Sequence, residues 1–375
     1  MSVNTALLYR LLGTDPAEGP AELLQRARTG RHLPHLVLSA LCRDGVRMGG
    51  PARDELRRAQ DRADDYARVA EGLARTTGVR AIRGLPLAGY YPPGLLRPLA
   101  TLDLVAPDEA ALWQAVIRLV TDHPVEHIDV SLTGCARDDT HAFAPHHTHG
   151  PASHHTDVTV RWPAEDPLVD PWYRVHLSTS ALPGDGATVP VRPYLVAEEP
   201  VECLIALAES RLHRPTDAPD PVTLLDIACL ARQPFEPAET AAVLAAYRLA
   251  PEAATLLDHA AKHVPLGPLA AVREALAPEL GPEHRRRTEA AAATSPPGVG
   301  PDPARPRPRT RTHHGTLLRR TVIRHTWNEA LLLTCAPDTP LLLTPVADYL
   351  LAPEPVTPDL RASALRTLHH WDALC

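Results

Sequence analysis

The sequence predicts an α+β fold, and three observations lead there. Helical periodicity fills residues 2–80 and returns from Pro200 onward. Between them lies a series of short apolar, β-rich runs. The βα repeats among those runs are shorter than a parallel-only sheet uses, so a small mixed sheet with crossing helices is expected.

The N-terminal stretch holds two short amphipathic pieces, Ala21–Arg28 and Leu36–Arg43. A long helix follows over Pro51–Thr77, with Pro51 fixing φ at its start and Gly78 as its stop. Val79–Ile82 is a short apolar run broken by the Gly84–Pro86 turn, as a strand would be. Leu102–Val105 is a second, and the helix after it begins near Pro107–Glu109, carrying Leu112, Trp113, Val116, Ile117 and Leu119 at helical spacing. Ile128–Leu132, Val158–Trp162, Tyr173–Leu177 and Val189–Val191 complete the expected strands. Helical periodicity then resumes in Glu202–Leu212, Val222–Ala231, Pro237–Leu249, Pro251–His263 and Leu269–Ala277. Thr288–Gly315 is dense in Pro, Ala and Arg and reads as a linker. Apolar density recovers afterwards, with a helix over Pro358–Trp371. The expected division is a helical segment at 1–78, an α/β core at 79–199, a helical module at 200–287, a linker at 288–315 and a C-terminal segment at 316–375.

Composition narrows the function classes. With 375 residues, 44% hydrophobic and 22% charged, the chain can bury a real core. A net charge of −7 gives no electrostatic case for sequence-independent nucleic-acid binding. Lys262 is the sole lysine, which argues against Schiff-base chemistry and a P-loop lysine, and the preference for arginine fits a GC-rich bacterial genome. The six cysteines are scattered without a CxxC pair, which argues against a structural zinc site or disulfide framework and fits a reducing compartment. No apolar run long enough to span a membrane and no signal-peptide pattern occurs, so a soluble, cytoplasmic protein without nucleic-acid or membrane partners is expected.

The most informative segment is Val79–Asp108, VRAIRGLPLAGYYPPGLLRPLATLDLVAPD. A strand ends in a basic residue and Gly84, a helix-like LPLAGYY leads into Pro-Gly, and Arg97-Pro98 precedes a strand bearing Asp103. This pattern resembles an uncharacterised bacterial nucleotidyltransferase family of the DNA polymerase β-like superfamily. That family shows Lys-Gly, an Ala-rich helix ending in Tyr-Pro, Arg-Pro, and then Asp-x-Asp-Leu-Leu-Val. Val158–Trp162 stands where the family has an apolar-Glu-Leu-His-Trp strand, and Pro200–His213 with Leu224–Leu230 resembles its helical tail. The resemblance covers about residues 20–265. It implies a nucleotidyltransferase-like fold and an ancestral cleft in which carboxylates hold two Mg²⁺ ions and an NTP.

Against that pattern the acids are depleted. Thr101 stands at the first aspartate position, Thr159 at the glutamate, Arg161 at the histidine and Arg83 at the lysine, leaving Asp103 as the one matching metal ligand. Asp157, two residues before Thr159, faces the same side of its strand and is the candidate replacement. The resemblance places Arg83, Gly84, Arg97, Thr101, Thr159 and Arg161 around a nucleotide or other ligand. Arg97 is expected at phosphate or paired with Asp103, and Asp226 as a buried hydrogen-bonding residue of the helical tail. One carboxylate with two hydroxyls makes a poor two-metal site, so at most weak Mg²⁺ binding is expected.

Other groups are weighed against simpler roles. His141, His146, His147, His149, His154 and His155 crowd one stretch and offer a transition-metal or acid–base site; Pro145, Gly150 and Pro151 favour an exposed loop. Trp162, Trp172 and Tyr173 cluster near the later strands and read as core rather than as a ligand platform. Arg305, Arg307, Arg309 and Arg311 read as a solvated tether. The function expected first is a non-catalytic or repurposed nucleotidyltransferase relative that binds a peptide or small-molecule intermediate, and with it a partner biosynthetic protein, in bacterial specialised metabolism. The alternatives are an active Mg²⁺-dependent nucleotidyltransferase built on Asp103 and Asp157, or an enzyme built on the histidine cluster.

Overall fold

The computed structural model of the protein describes residues 3–30, 33–134, 154–184, 189, 191–192, 197–212, 219–293, 311–334, 340–352 and 356–373. The fold is α+β. Helices α1 (Thr5–Leu12), α2 (Gly19–Ala27) and α3 (Leu33–Arg43) precede the long α4 (Gly50–Thr77). As the sequence predicts, α4 carries Pro51 in its first turn and stops where Gly78 adopts a left-handed φ of 71°. Its buried stripe, Leu56, Ala59, Tyr66, Ala70 and Leu73, follows helical spacing.

The sheet then begins with β1 (Arg80–Ile82), the short α5 (Gly84–Ala88), β2 (Leu102–Val105) and α6 (Glu109–Asp122). Asp108 caps α6 by accepting from the Ala111 backbone N–H. Strands β3 (His127–Gly134), β4 (His154–Trp162) and β5 (Tyr173–Ser178) follow, then helices α7 (Glu199–Glu209), α8 (Pro221–Leu230), α9 (Pro237–Ala246), α10 (Ala250–Ala261), α11 (Leu269–Ala275) and α12 (Ala277–Ala293). The chain closes with β6 (Arg311–Arg320), β7 (Leu331–Thr334), β8 (Pro340–Leu343), β9 (Ala347–Ala352) and α13 (Pro358–Asp372).

The strands form one nine-stranded sheet in the order β1-β2-β5-β4-β3-β6-β9-β8-β7. Among the described strands β2 and β5 are the one parallel pair, and the other pairings are antiparallel. The sheet is therefore mixed. Alternation sorts each central strand. Val158, Val160 and Trp162 of β4 and Val175 and Leu177 of β5 join Leu112, Trp113 and Val116 of α6 and Tyr66 of α4 in one core. Asp157, Thr159 and Arg161 of β4 and His176 of β5 face the other way, toward the cleft. A second core joins α1–α3 to α7–α11 and reaches β1, α5 and β2 through Ile82, Leu87 and Val105.

Three expectations are corrected. Residue 190 of the expected Val189–Val191 strand lies outside the described residues; the described Val189 and Val191 carry no strand, and Arg192 beside them makes an isolated bridge with Leu182. The range 288–315 is not linker throughout. Its TEAAAA start continues α12, and β6 begins at Arg311; 294–310, with Arg305, Arg307 and Arg309, lies outside the described residues. The segment after 316 was expected to hold one helix, whereas it also carries strands that extend the core sheet through the β3–β6 pairing. The motif LLLT occurs at both Leu331–Thr334 and Leu341–Thr344, and its two copies supply the antiparallel pair β7–β8.

Candidate functional site

The cleft-facing polar residues converge where β2, β5 and β4 lie side by side. In the strand registers Asp103 sits beside His176, and His176 beside Thr159. Asp157 is two residues along β4 from Thr159 on the same face. His176 thereby falls between the two aspartates. Its Nδ1 lies 3.5 Å from Asp103 Oδ1, and its Nε2 lies 3.5 Å from Asp157 Oδ1. The second oxygen of Asp157 takes His155 Nε2 at 3.2 Å. From the β1–α5 corner, Arg83 Nη1 lies 3.8 Å from Asp103, and its Nη2 donates to Glu209 of α7 at 3.0 Å.

These neighbours set the charges. Burial alone would push the Asp157 carboxyl up, but hydrogen bonds from His155 and His176 outweigh it and hold Asp157 well below the usual carboxylate range. Burial alone would pull His176 down, but its contacts with Asp103 and Asp157 push it up to about 9. His176 is therefore an imidazolium at neutral pH, pinned by a carboxylate at each nitrogen. Arg83 is likewise raised: Glu209 and Asp103 overcome the opposing effect of burial.

The corner that delivers Arg83 is strained. Arg83 has a φ of 63°, a conformation that non-glycine residues rarely adopt, and its position just before α5 turns the guanidinium toward Asp103. Gly84 follows because the chain passes close to its neighbours. A Cβ there would come within 3.0 Å of both Arg97 Nη1 and Leu99 Cδ2. Leu99 is buried and Arg97 is fixed by Asp226, so neither can yield. Gly84→Ala is expected to lower stability by about 1–3 kcal/mol, measured by urea unfolding, through that overpacking.

Arg97 does not reach Asp103. Its Nε and Nη2 each donate to Asp226 of α8 at 2.8 Å, and the Tyr91 hydroxyl donates to the same carboxylate at 2.8 Å. Asp226 is 2% exposed and Arg97 12%, so the pair is a buried strut between the loop after α5 and α8. Arg161 is also diverted, pairing with Asp129 across to β3 at 2.6 Å. Thr159 keeps its expected place opposite His176, and Thr101 sits just ahead of β2. Of the histidine cluster, His155 enters the site and is buried; His154 lies on β4, and His141, His146, His147 and His149 lie outside the described residues.

Sequence reasoning missed His176 and Glu209. Each left a signal: a lone histidine inside the apolar β5 run YRVHLS, and an acid ending the apolar α7 run ECLIALAE. Among the described residues, no group of three or more His, Cys, Asp or Glu side chains is arranged to hold a metal ion. Cys42, Cys203 and Cys229 are free thiols. No described helix is long and apolar enough to cross a membrane.

Arg83 and Glu209 also wall a cavity of about 570 Å³, together with Arg97, Arg211, Ser210, Thr223 and Asp226 and the apolar side chains of Leu87, Leu207 and Val222. Its volume lies in the range of small-ligand sites.

The chain matches no family model, no curated protein and no solved structure.

Proposed function

We propose that the protein is a nucleotidyltransferase-like binding protein that does not transfer nucleotidyl groups and whose cleft takes a peptide or small-molecule intermediate of bacterial specialised metabolism. One observation carries this reading: His176, as an imidazolium, stands between Asp103 and Asp157. Mg²⁺ needs carboxylate oxygens in near-octahedral array at roughly 2.0–2.1 Å. Here the facing oxygens are already engaged by ring nitrogens, and Arg83 adds a second positive charge beside Asp103. Asp103, Asp157 and Glu209 set against His176 and Arg83 leave a formal balance of one negative charge, too little to seat two divalent ions. The residues present do not fit the paired cations that the resemblance implies.

The adjoining cavity supports the ligand class. Arginines, carboxylates and aliphatic side chains all line it, a mix that suits a ligand carrying both signs of charge, as a peptide does. Calorimetry with millimolar ATP and Mg²⁺ should give only the heat of dilution, for the wild type and Asp103→Asn alike. Mg²⁺-dependent turnover of any NTP that Asp103→Asn abolishes would defeat the proposal.

One observation favours a second reading. Asp103, His176, Asp157 and His155 form an alternating row of carboxylates and imidazoles along which a proton can be held and passed. A repurposed enzyme using this row would lose activity in His155→Ala while retaining its fold and its ligand.

A further inference from the structure

A second cavity lies on the opposite face of the sheet, in the groove between α4 and the end of α6, with a volume of about 560 Å³. Its floor is a column of stacked groups. His123 lies parallel to Trp162 with ring centroids 4.4 Å apart, and Trp162 lies parallel to Tyr173 at 5.3 Å. The Arg62 guanidinium closes the inner end, 4.3 Å above the Tyr173 ring. The outer end is the half-buried His123, whose imidazole is held below its usual value by burial and is therefore a neutral ring at physiological pH.

Two further features belong to this groove. Arg68, Arg75 and Arg118 line it together with Asp65 and Asp122, and among the described residues each arginine pairs with an acid three or four residues away on its own helix: Asp65, Glu71 and Asp122. Exposed pairs of this kind contribute little, so an arriving anion can redirect all three guanidiniums at small cost. Gly72 lies inside the 28-residue α4, five residues before its last residue Thr77, where glycine disfavours the helix relative to alanine, and it lines the groove. A Cβ at Gly72 would meet nothing within 4 Å among the described residues, so packing against them does not account for a glycine there. A ligand lying against the α4 backbone would account for it.

The geometry points to a second binding site in the α4–α6 groove for a flat aromatic anion, its ring against the His123–Trp162–Tyr173 column and the bare backbone at Gly72, and its carboxylate or phosphate among Arg68, Arg75 and Arg118. The site lies across the sheet from the Asp103 cleft and is independent of what that cleft binds.

The test uses 1-naphthoate and 1-naphthyl phosphate as probes of the two anion types, with binding to the full chain followed by calorimetry. Gly72→Ala should raise Tm by about 1 °C, because the helix gains propensity without a clash. Gly72→Leu should fold as well as the wild type and weaken binding of both probes at least tenfold by filling the groove. Arg75→Ala with Arg118→Ala should weaken binding by a similar factor, and Asp103→Asn should leave it unchanged. The tighter of the two probes assigns the anion as a carboxylate or a phosphate. No binding of either probe at millimolar concentration would overturn the inference, as would binding that Gly72→Leu leaves intact.

Discussion

Asp226→Ala is expected to cost about 3–5 kcal/mol of stability, the largest loss of any single substitution considered for this protein. The carboxylate accepts from Arg97 Nε, Arg97 Nη2 and the Tyr91 hydroxyl, all at 2.8 Å, in a nearly water-free setting. Removing it strands a guanidinium and a phenol that burial has already desolvated, and an unpaired buried charge is the costly half of a buried ion pair. Both partners lie in the connection from α5 to β2, so the damage should spread from α8 to the corner holding Arg83 and Gly84. Chemical denaturation of the variant measures the loss. Asp226→Asn, which keeps an acceptor of the same shape, should lose less. A cost below about 1 kcal/mol for Asp226→Ala would mean that the strut is exposed and weak.

His176→Gln comes next, with an expected loss of about 2–3 kcal/mol at neutral pH; the partial exposure of the side chain keeps it below the range for fully buried pairs. The distinctive result is the pH dependence. In the folded protein His176 titrates near 9, against 6.5 for the ordinary group, so folding raises its pKa. The stabilisation is then fully present below about 6.5 and is lost as the pH climbs through about 9. Asp157 has the opposite sign: its depressed pKa contributes stability above the usual carboxylate value, lost as the pH falls through the lower folded value. Unfolding free energies of the wild type should therefore decline between pH 6.5 and 9, and His176→Gln should flatten that decline. An unchanged slope would show that His176 carries no extra proton.

Much of the fold was legible because its signals are local. Pro51 and Gly78 bracket α4, and Leu102–Val105 matches β2 residue for residue. The C-terminal strands were not legible, since β6 is rich in Arg, His and Thr and owes its place to long-range pairing with β3 and β9 rather than to an apolar pattern. The site divides in the same way. Asp103, Asp157 and Arg83 were nameable from strand parity and motif position, and the structure gathers them. His176 was not, because its role arises from register: a parallel neighbour supplies Asp103 on one side and an antiparallel one supplies Asp157 on the other. Arg97 was expected at phosphate or at Asp103; its pairing with Asp226 was not legible, because that residue lies 129 positions away.

His176 occupies the place between Asp103 and Asp157 as a cation at neutral pH. Nitrogen-15 NMR of histidine-labelled protein, with the resonance assigned through His176→Gln, tests it most directly. The account predicts an imidazole protonated on both nitrogens at neutral pH, titrating near 9, and indifferent to millimolar Mg²⁺ with ATP. A ring that is neutral at pH 7, or one whose resonances move when Mg²⁺ and ATP are added, would contradict it.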